Sequence, residues 1–165
     1  MRITLKVTED RKGWNKLKKR FNPSASKNVN VGWINPPFYT DRREGLNVAQ
    51  VAQWNEEGKV SITGASIPPR PFMRVGMARE IYKILRNKDK ELSEVFSGKM
   101  NWEQFYNSLS NQLKTALQEV IKEWSLPPNS PHTVRKKGFN DPLIETGLLL
   151  QSVETEIKAW SRSEE

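Results

Sequence analysis

The chain has 165 residues, 36% of them hydrophobic and 28% charged, with a formal charge of +8 and no cysteine. That length suits one domain with a real core, and the missing thiols exclude disulfides and thiolate metal sites. No apolar run approaches the roughly 20 residues that cross a bilayer, and the start Met1 to Lys6 lacks the apolar block of a signal peptide, so neither a membrane partner nor export by that route is expected.

Charge and aromatic content both point outward. Residues 1–30 hold nine basic side chains (Arg2, Lys6, Arg11, Lys12, Lys16, Lys18, Lys19, Arg20, Lys27) against Glu9 and Asp10, which leaves +7 in this segment. Such a field implies an anionic partner, either nucleic acid or an acidic protein surface. Six Trp, six Phe and three Tyr supply much of the apolar surface, which suits a protein that completes its burial against neighbours.

In chain order, Ile3, Leu5 and Val7 alternate with polar residues and predict a half-buried strand. Thr8 is placed to cap a short helix whose Trp14, Leu17 and Phe21 share a face while Lys12, Lys16, Lys19 and Arg20 lie on others. A loop over residues 22–26 follows. Val29, Val31, Trp33 and Ile34 predict a second strand closed by Pro36-Pro37. From Asn47, the spacing of Val48, Val51, Ala52 and Trp54 predicts a helix that Gly58 ends, and Val60 and Ile62 suggest a loop or small hairpin before Gly64.

The segment Ile67-Pro68-Pro69-Arg70-Pro71-Phe72 fits neither helix interior nor central strand, because three prolines fix φ and remove three donors. It reads as a stiff hinge that aims Arg70. Phe72, Val75, Ala78, Ile81, Tyr82 and Leu85 then keep a helical period that could run on through Leu92 to Phe96, with no apolar support over residues 86–90, until Gly98. Asn101 with Gln104 forms a capping-box pattern for a second long helix. Trp102, Phe105, Leu109, Leu113, Leu117 and Ile121 give it an inward stripe. Pro127-Pro128 stops this helix, and residues 125–141 read as a long exposed loop. Residues 142–150 suggest a turn or short helix leading into a strand with Leu149, Gln151, Val153, Thr155 and Ile157 on one side, and residues 161–165 a frayed tail. The expectation is a single α+β domain over 1–165: a small mixed or antiparallel sheet packed against two long helices.

Catalysis finds little footing. The only histidine, His132, stands in the proline-bounded stretch Ser130-Pro131-His132-Thr133, and Glu56 and Glu57 are adjacent on a helix and so face different ways. No glycine-rich phosphate loop and no metal-ligand spacing occurs, so no catalytic, cofactor or metal residue is assigned and an enzyme is the least expected class.

Four segments, in order, carry a resemblance: Asn55-Glu56-Glu57-Gly58; Ile67-Pro68-Pro69-Arg70-Pro71-Phe72; Leu126-Pro127-Pro128-Asn129 running on through His132 and Arg135-Lys136-Lys137 to Gly138; and Pro142-Leu143-Ile144-Glu145-Thr146-Gly147-Leu148-Leu149. The chain resembles the neck and tail-completion proteins of long-tailed bacteriophages, a group that includes minor tail protein Z-like and virion-morphogenesis proteins. The resemblance runs from about Val31 to about Ile157, and residues 1–30 carry none of it.

It implies a structural virion protein of the neck or upper tail, made in the host cytoplasm. Such a protein forms a homo-oligomeric ring, six- or twelve-fold, between the head-tail connector and the tail-tube or tail-terminator proteins. Asn55, Glu56, Pro68, Pro69, Arg70, Pro71, Phe72, His132, Arg135, Lys136 and Lys137 are the expected interface residues. The alternative from composition is a nucleic-acid-binding module that docks Lys12, Lys16, Lys19 and Arg20 on phosphates or on another acidic surface.

Overall fold

The computed structural model describes residues 11–20, 27–40, 45–60 and 66–159. The expected strand at Ile3–Val7, the Thr8 cap, Phe21, the loop over 22–26, Ile62 and Gly64, the tail over 161–165 and the side chains of Trp14, Leu17, Lys19 and Arg20 lie outside that description. The predicted basic helix is present as α1 (Arg11–Arg20). Lys12 and Lys16 are exposed on it.

The longest element, α5 (Trp102–Glu123), organises the rest. Its start is fixed by reciprocal bonds: Asn101 Oδ1 accepts the Gln104 N–H at 2.8 Å, and Gln104 Oε1 accepts the Asn101 N–H at 2.9 Å, satisfying two amides that a helix end otherwise leaves open. Phe105, Leu113, Leu117 and Ile121 of the predicted stripe are buried, Leu117 completely. Trp102 and Leu109 are half-buried, and Trp102 meets Phe105 edge to face at 5.7 Å between ring centres. Each such buried side chain contributes about 1.5–3 kcal/mol of hydrophobic free energy.

Against α5 lies a two-stranded antiparallel sheet of β1 (Lys27–Gly32) and β4 (Glu154–Ala159), in register Val29 to Ile157 and Val31 to Thr155. Trp33 falls just beyond β1. Its indole N–H reaches the Leu149 carbonyl at 2.9 Å, and its ring meets the fully buried Phe72 edge-on at 6.2 Å. Leu149 and Gln151, expected in the last strand, belong instead to α7 (Leu148–Gln151). There the Ser152 hydroxyl bonds the Leu148 carbonyl at 2.6 Å, so extended backbone starts only at Glu154.

The second long helix spans residues 72–86. Phe72–Met77 are π-helical and α3 (Ala78–Arg86) continues them. It crosses α5 at Gly76, where a Cβ would overlap Val120 Cγ1 and stand 3.4 Å from Trp124. Its expected continuation to Phe96 is broken at Asn87 and Lys88, and α4 (Asp89–Ser97) follows as a separate helix. The break occurs where apolar support was missing, and Lys88 turns inward there: 2% exposed, it binds Glu91 Oε1 at 2.7 Å and Ser108 Oγ at 3.3 Å. Burial by itself pushes the Glu91 carboxyl up. Hydrogen bonds from Lys88 and Ser108, the Lys88 charge and a bond from Gln112 outweigh it and hold the group below the usual carboxylate range.

The remaining elements are short. The helix predicted from Asn47 is α2 (Val48–Glu57), closed by a capping box with Gln50. After it, β2 (Lys59–Val60) and β3 (Ser66–Ile67) pair as a small hairpin. Residues 125–141 are not the uninterrupted loop expected. Ser130 caps α6 (Pro131–Lys137), with Pro131 in the first turn and Gly138 left-handed at its end. Seven residues with no apolar period hid this helix, and only its capping signals mark it. The fold is α+β, with small antiparallel sheets beside helices packed on α5. Among the described residues no helix is long and apolar enough to cross a membrane.

Candidate functional site

The four segments singled out in the sequence converge on one cleft of about 570 Å³. Val51 and Trp54 of α2, Ile67 and Pro68 of the hinge, Thr133 of α6 and Leu148 of α7 are among its walls, and Arg70 stands at its inner side.

α2 supplies two grips on adjacent residues. Asn55 Nδ2 donates to the Val51 carbonyl at 2.9 Å, which orients its Oδ1 to accept from Arg70 NH1 at 2.9 Å. The Asn55 backbone carbonyl accepts the Arg70 N–H at 2.6 Å. One residue on, and so turned about 100° around the helix, Glu56 accepts the Met73 N–H at 2.8 Å and the Arg74 N–H at 3.1 Å. This carboxylate satisfies open amides at the start of helix 72–86, where negative charge also meets the positive end of the helix dipole. Gly58, with φ of 81°, lets the hinge lie close: a Cβ would come within 3.1 Å of the Ile67 carbonyl and of Pro69.

Arg70 ties the hinge to the far segment. Its Nε donates to the Pro127 carbonyl at 3.0 Å, and NH2 makes longer contacts to the Pro128 carbonyl at 3.5 Å and Asn129 Oδ1 at 3.4 Å. The side chain is buried, and that desolvation lowers its pKa. Among the described residues no carboxylate pairs with it. Its charge is spread over carbonyl and amide oxygens, which a guanidinium fork can reach simultaneously and a lysine cannot. The Asn129 backbone N–H donates a further bond to Asn140 Oδ1 at 3.0 Å, while its Nδ2 is buried without an acceptor among the described residues.

Several expected interface residues therefore turn inward. Asn55, Arg70 and Phe72 are buried within the chain at 9%, 4% and 0% exposure, so they are not anchors offered to a neighbour. The physical reason is that the hinge is pinned from both sides, by Asn55 before it and by the loop at Pro127 after it. Glu56 is half-buried and occupied by helix 72–86, and Pro68 and Pro71 are half-buried. Arg70 and Phe72 of the hinge are a local device of the fold. Pro69, His132, Arg135 and Lys136 do face water. Lys137 is half-buried, its Nζ bonding the Asp141 carbonyl at 2.6 Å and lying 4.9 Å from the Phe139 ring centre.

Sequence reasoning missed the contact of Lys59 Nζ, 3.1 Å from the ring centre of the cleft residue Trp54, and it missed Asn129. No periodicity marks either one, although the Trp54 to Lys59 spacing across Gly58 was visible. Chemically, the cleft is an apolar trough with donors at its inner side. Among the described residues no cluster of His, Asp and Glu is placed to hold a metal ion. No protein-family model, curated protein or solved structure matches the chain.

Proposed function

We propose that the protein is a structural component of the head-to-tail interface of a long-tailed bacteriophage, a ring-forming adaptor between connector and tail without enzymatic activity. The observation that carries this reading is the convergence of all four resembling segments on one cleft, the first three of them tied to one another or to the helix after the hinge by Arg70 and Glu56. In an adaptor, geometry is the product: Asn55, Arg70 and Phe72 hold the cleft rigid from inside, and a rigid surface loses little conformational entropy on binding. The neighbour contacts are then made by the parts left to water, Pro69 on the hinge and His132, Arg135 and Lys136 on α6. The ring is six- or twelve-fold and forms on its virion partner.

Native mass measurement of the protein alone and mixed with the connector or tail-tube protein of the same particle tests this. A closed ring or a stoichiometric complex is expected, and Arg135→Glu with Lys136→Glu should abolish it without changing Tm, since both side chains are exposed. A chain that stays monomeric with either partner defeats the reading. Should it instead bind duplex DNA with affinity falling by orders of magnitude over a modest rise in salt, and lose that binding when Lys12 and Lys16 of α1 are reversed, the nucleic-acid module stands in its place.

A further inference from the structure

Helix 72–86 packs on α5 through Met77 and Ile84. Its other side is left to water although it is apolar: Val75, Ala78, Ile81, Tyr82 and Leu85 are exposed, Tyr82 by 66% and Leu85 by 56%. Their spacing of three and four residues puts them on one stripe, where a surface helix ordinarily places polar side chains. Four cations border the stripe. Arg74 is held by Glu56 at 3.1 Å and Lys83 by Glu80 at 2.6 Å. Arg79 and Arg86, two turns apart on one flank, have no hydrogen-bond or ion-pair partner among the described residues.

We propose that this stripe is a docking surface for an amphipathic helix of a different protein, one whose apolar ridge is flanked by two carboxylates about 10.5 Å apart, the rise of seven helical residues. The unpaired guanidiniums are forks suited to carboxylates, and the tyrosine and leucine beside them supply the apolar centre such an interface needs. A second copy is a poor occupant. Two such stripes face to face would bring Arg79 and Arg86 of each copy against the same cations of the other, on chains that each carry +8. Phosphate backbones give an apolar stripe nothing to bury against. A membrane surface is better served by a helix with a freely inserting face, whereas this one is fixed on α5. The surface is independent of the virion reading and would serve in another assembly equally well.

Two synthetic helical peptides with the same leucine ridge test it, one carrying Glu and the other Lys at two flanking positions seven residues apart. Each is titrated into the full, isotope-labelled chain and followed by NMR. The Glu peptide is expected to bind roughly tenfold more tightly than the Lys peptide, the effect of turning two exposed attractions into repulsions, and to shift resonances over residues 75–86. Arg79→Glu with Arg86→Glu should reverse the preference at unchanged Tm, because neither side chain holds another group among the described residues. Equal binding of both peptides, or none at millimolar concentration, overturns the proposal. So does tighter binding of this face to phosphatidylcholine–phosphatidylserine vesicles or to duplex DNA than to the Glu peptide. Self-association of the chain in sedimentation that Tyr82→Asp abolishes would assign the face to a second copy and overturn it equally.

Discussion

Replacing Arg70 by alanine should loosen two distant segments at once. The guanidinium makes two short bonds, to Asn55 Oδ1 at 2.9 Å and the Pro127 carbonyl at 3.0 Å, and two long contacts that add little. A hydrogen bond from a charged donor is worth about 1.5–3 kcal/mol net, so the pair amounts to roughly 3–6 kcal/mol. The Arg70 backbone N–H to the Asn55 carbonyl survives the change, which should keep the hinge itself in place. Arg70→Lys retains the charge but reaches one acceptor at a time, and about half the loss is expected. Urea unfolding with linear extrapolation measures the total, and hydrogen exchange should show lost protection at the Asn129 amide, which donates to Asn140 Oδ1. Combined with Asn55→Ala, the two losses should fall short of additive by about 1–2 kcal/mol, since both remove the same bond. A loss for Arg70→Ala below about 1 kcal/mol, or unchanged exchange at the Asn129 amide, would refute the idea that Arg70 pins the cleft.

Gly76→Ala should cost about 1–3 kcal/mol in urea unfolding because its Cβ overlaps Val120; Val120→Ala should restore part of this, and a neutral Gly76→Ala would mean helix 72–86 can slide on α5. Leu117→Ala should cost about 2–5 kcal/mol, measured the same way, and a loss below about 1 kcal/mol would remove that residue from the core. Lys88→Met and Glu91→Gln probe the break before α4. Since the Glu91 carboxyl has a folded-state pKa below its unfolded one, its stabilisation is complete above the unfolded value and is lost as pH falls through the folded one. Comparing unfolding at about pH 7 and about pH 3, the native chain should lose more stability than Glu91→Gln, and equal losses would exclude Glu91 as a source of the acid sensitivity.

Elements whose signal is local were readable in advance. α5 announces itself by Asn101 with Gln104 three residues on and by an apolar stripe, α2 by its stripe from Asn47, and both begin at the residue after the asparagine. The β1 and β4 segments were visible as alternation, though nothing in either one names the other as partner. The hinge misled because proline-rich segments with an arginine usually lie at the surface, whereas the acceptors that take Arg70 inside come from Asn55 and from Pro127, far along the chain in both directions. Glu56 misled for the same reason: an isolated carboxylate on a helix gives no hint that the amides of residues 73 and 74 end above it. The candidate cleft was thus legible as four separate segments and illegible as a single place, because closeness in space was set by long-range contacts.

The pairing of β1 with β4 has a consequence for how the molecule is made. Lys27 lies opposite Ala159 and Gly32 opposite Glu154, so this ribbon fastens residues 27–32 to residues 154–159, far apart along the chain. Closing so long a loop costs entropy that only the finished core can offset. The helices should therefore assemble around α5 first, with the ribbon clasping last. It is also a clasp with no spare half: among the described residues β1 and β4 pair only with each other, so damage to either strand leaves the other with an open edge.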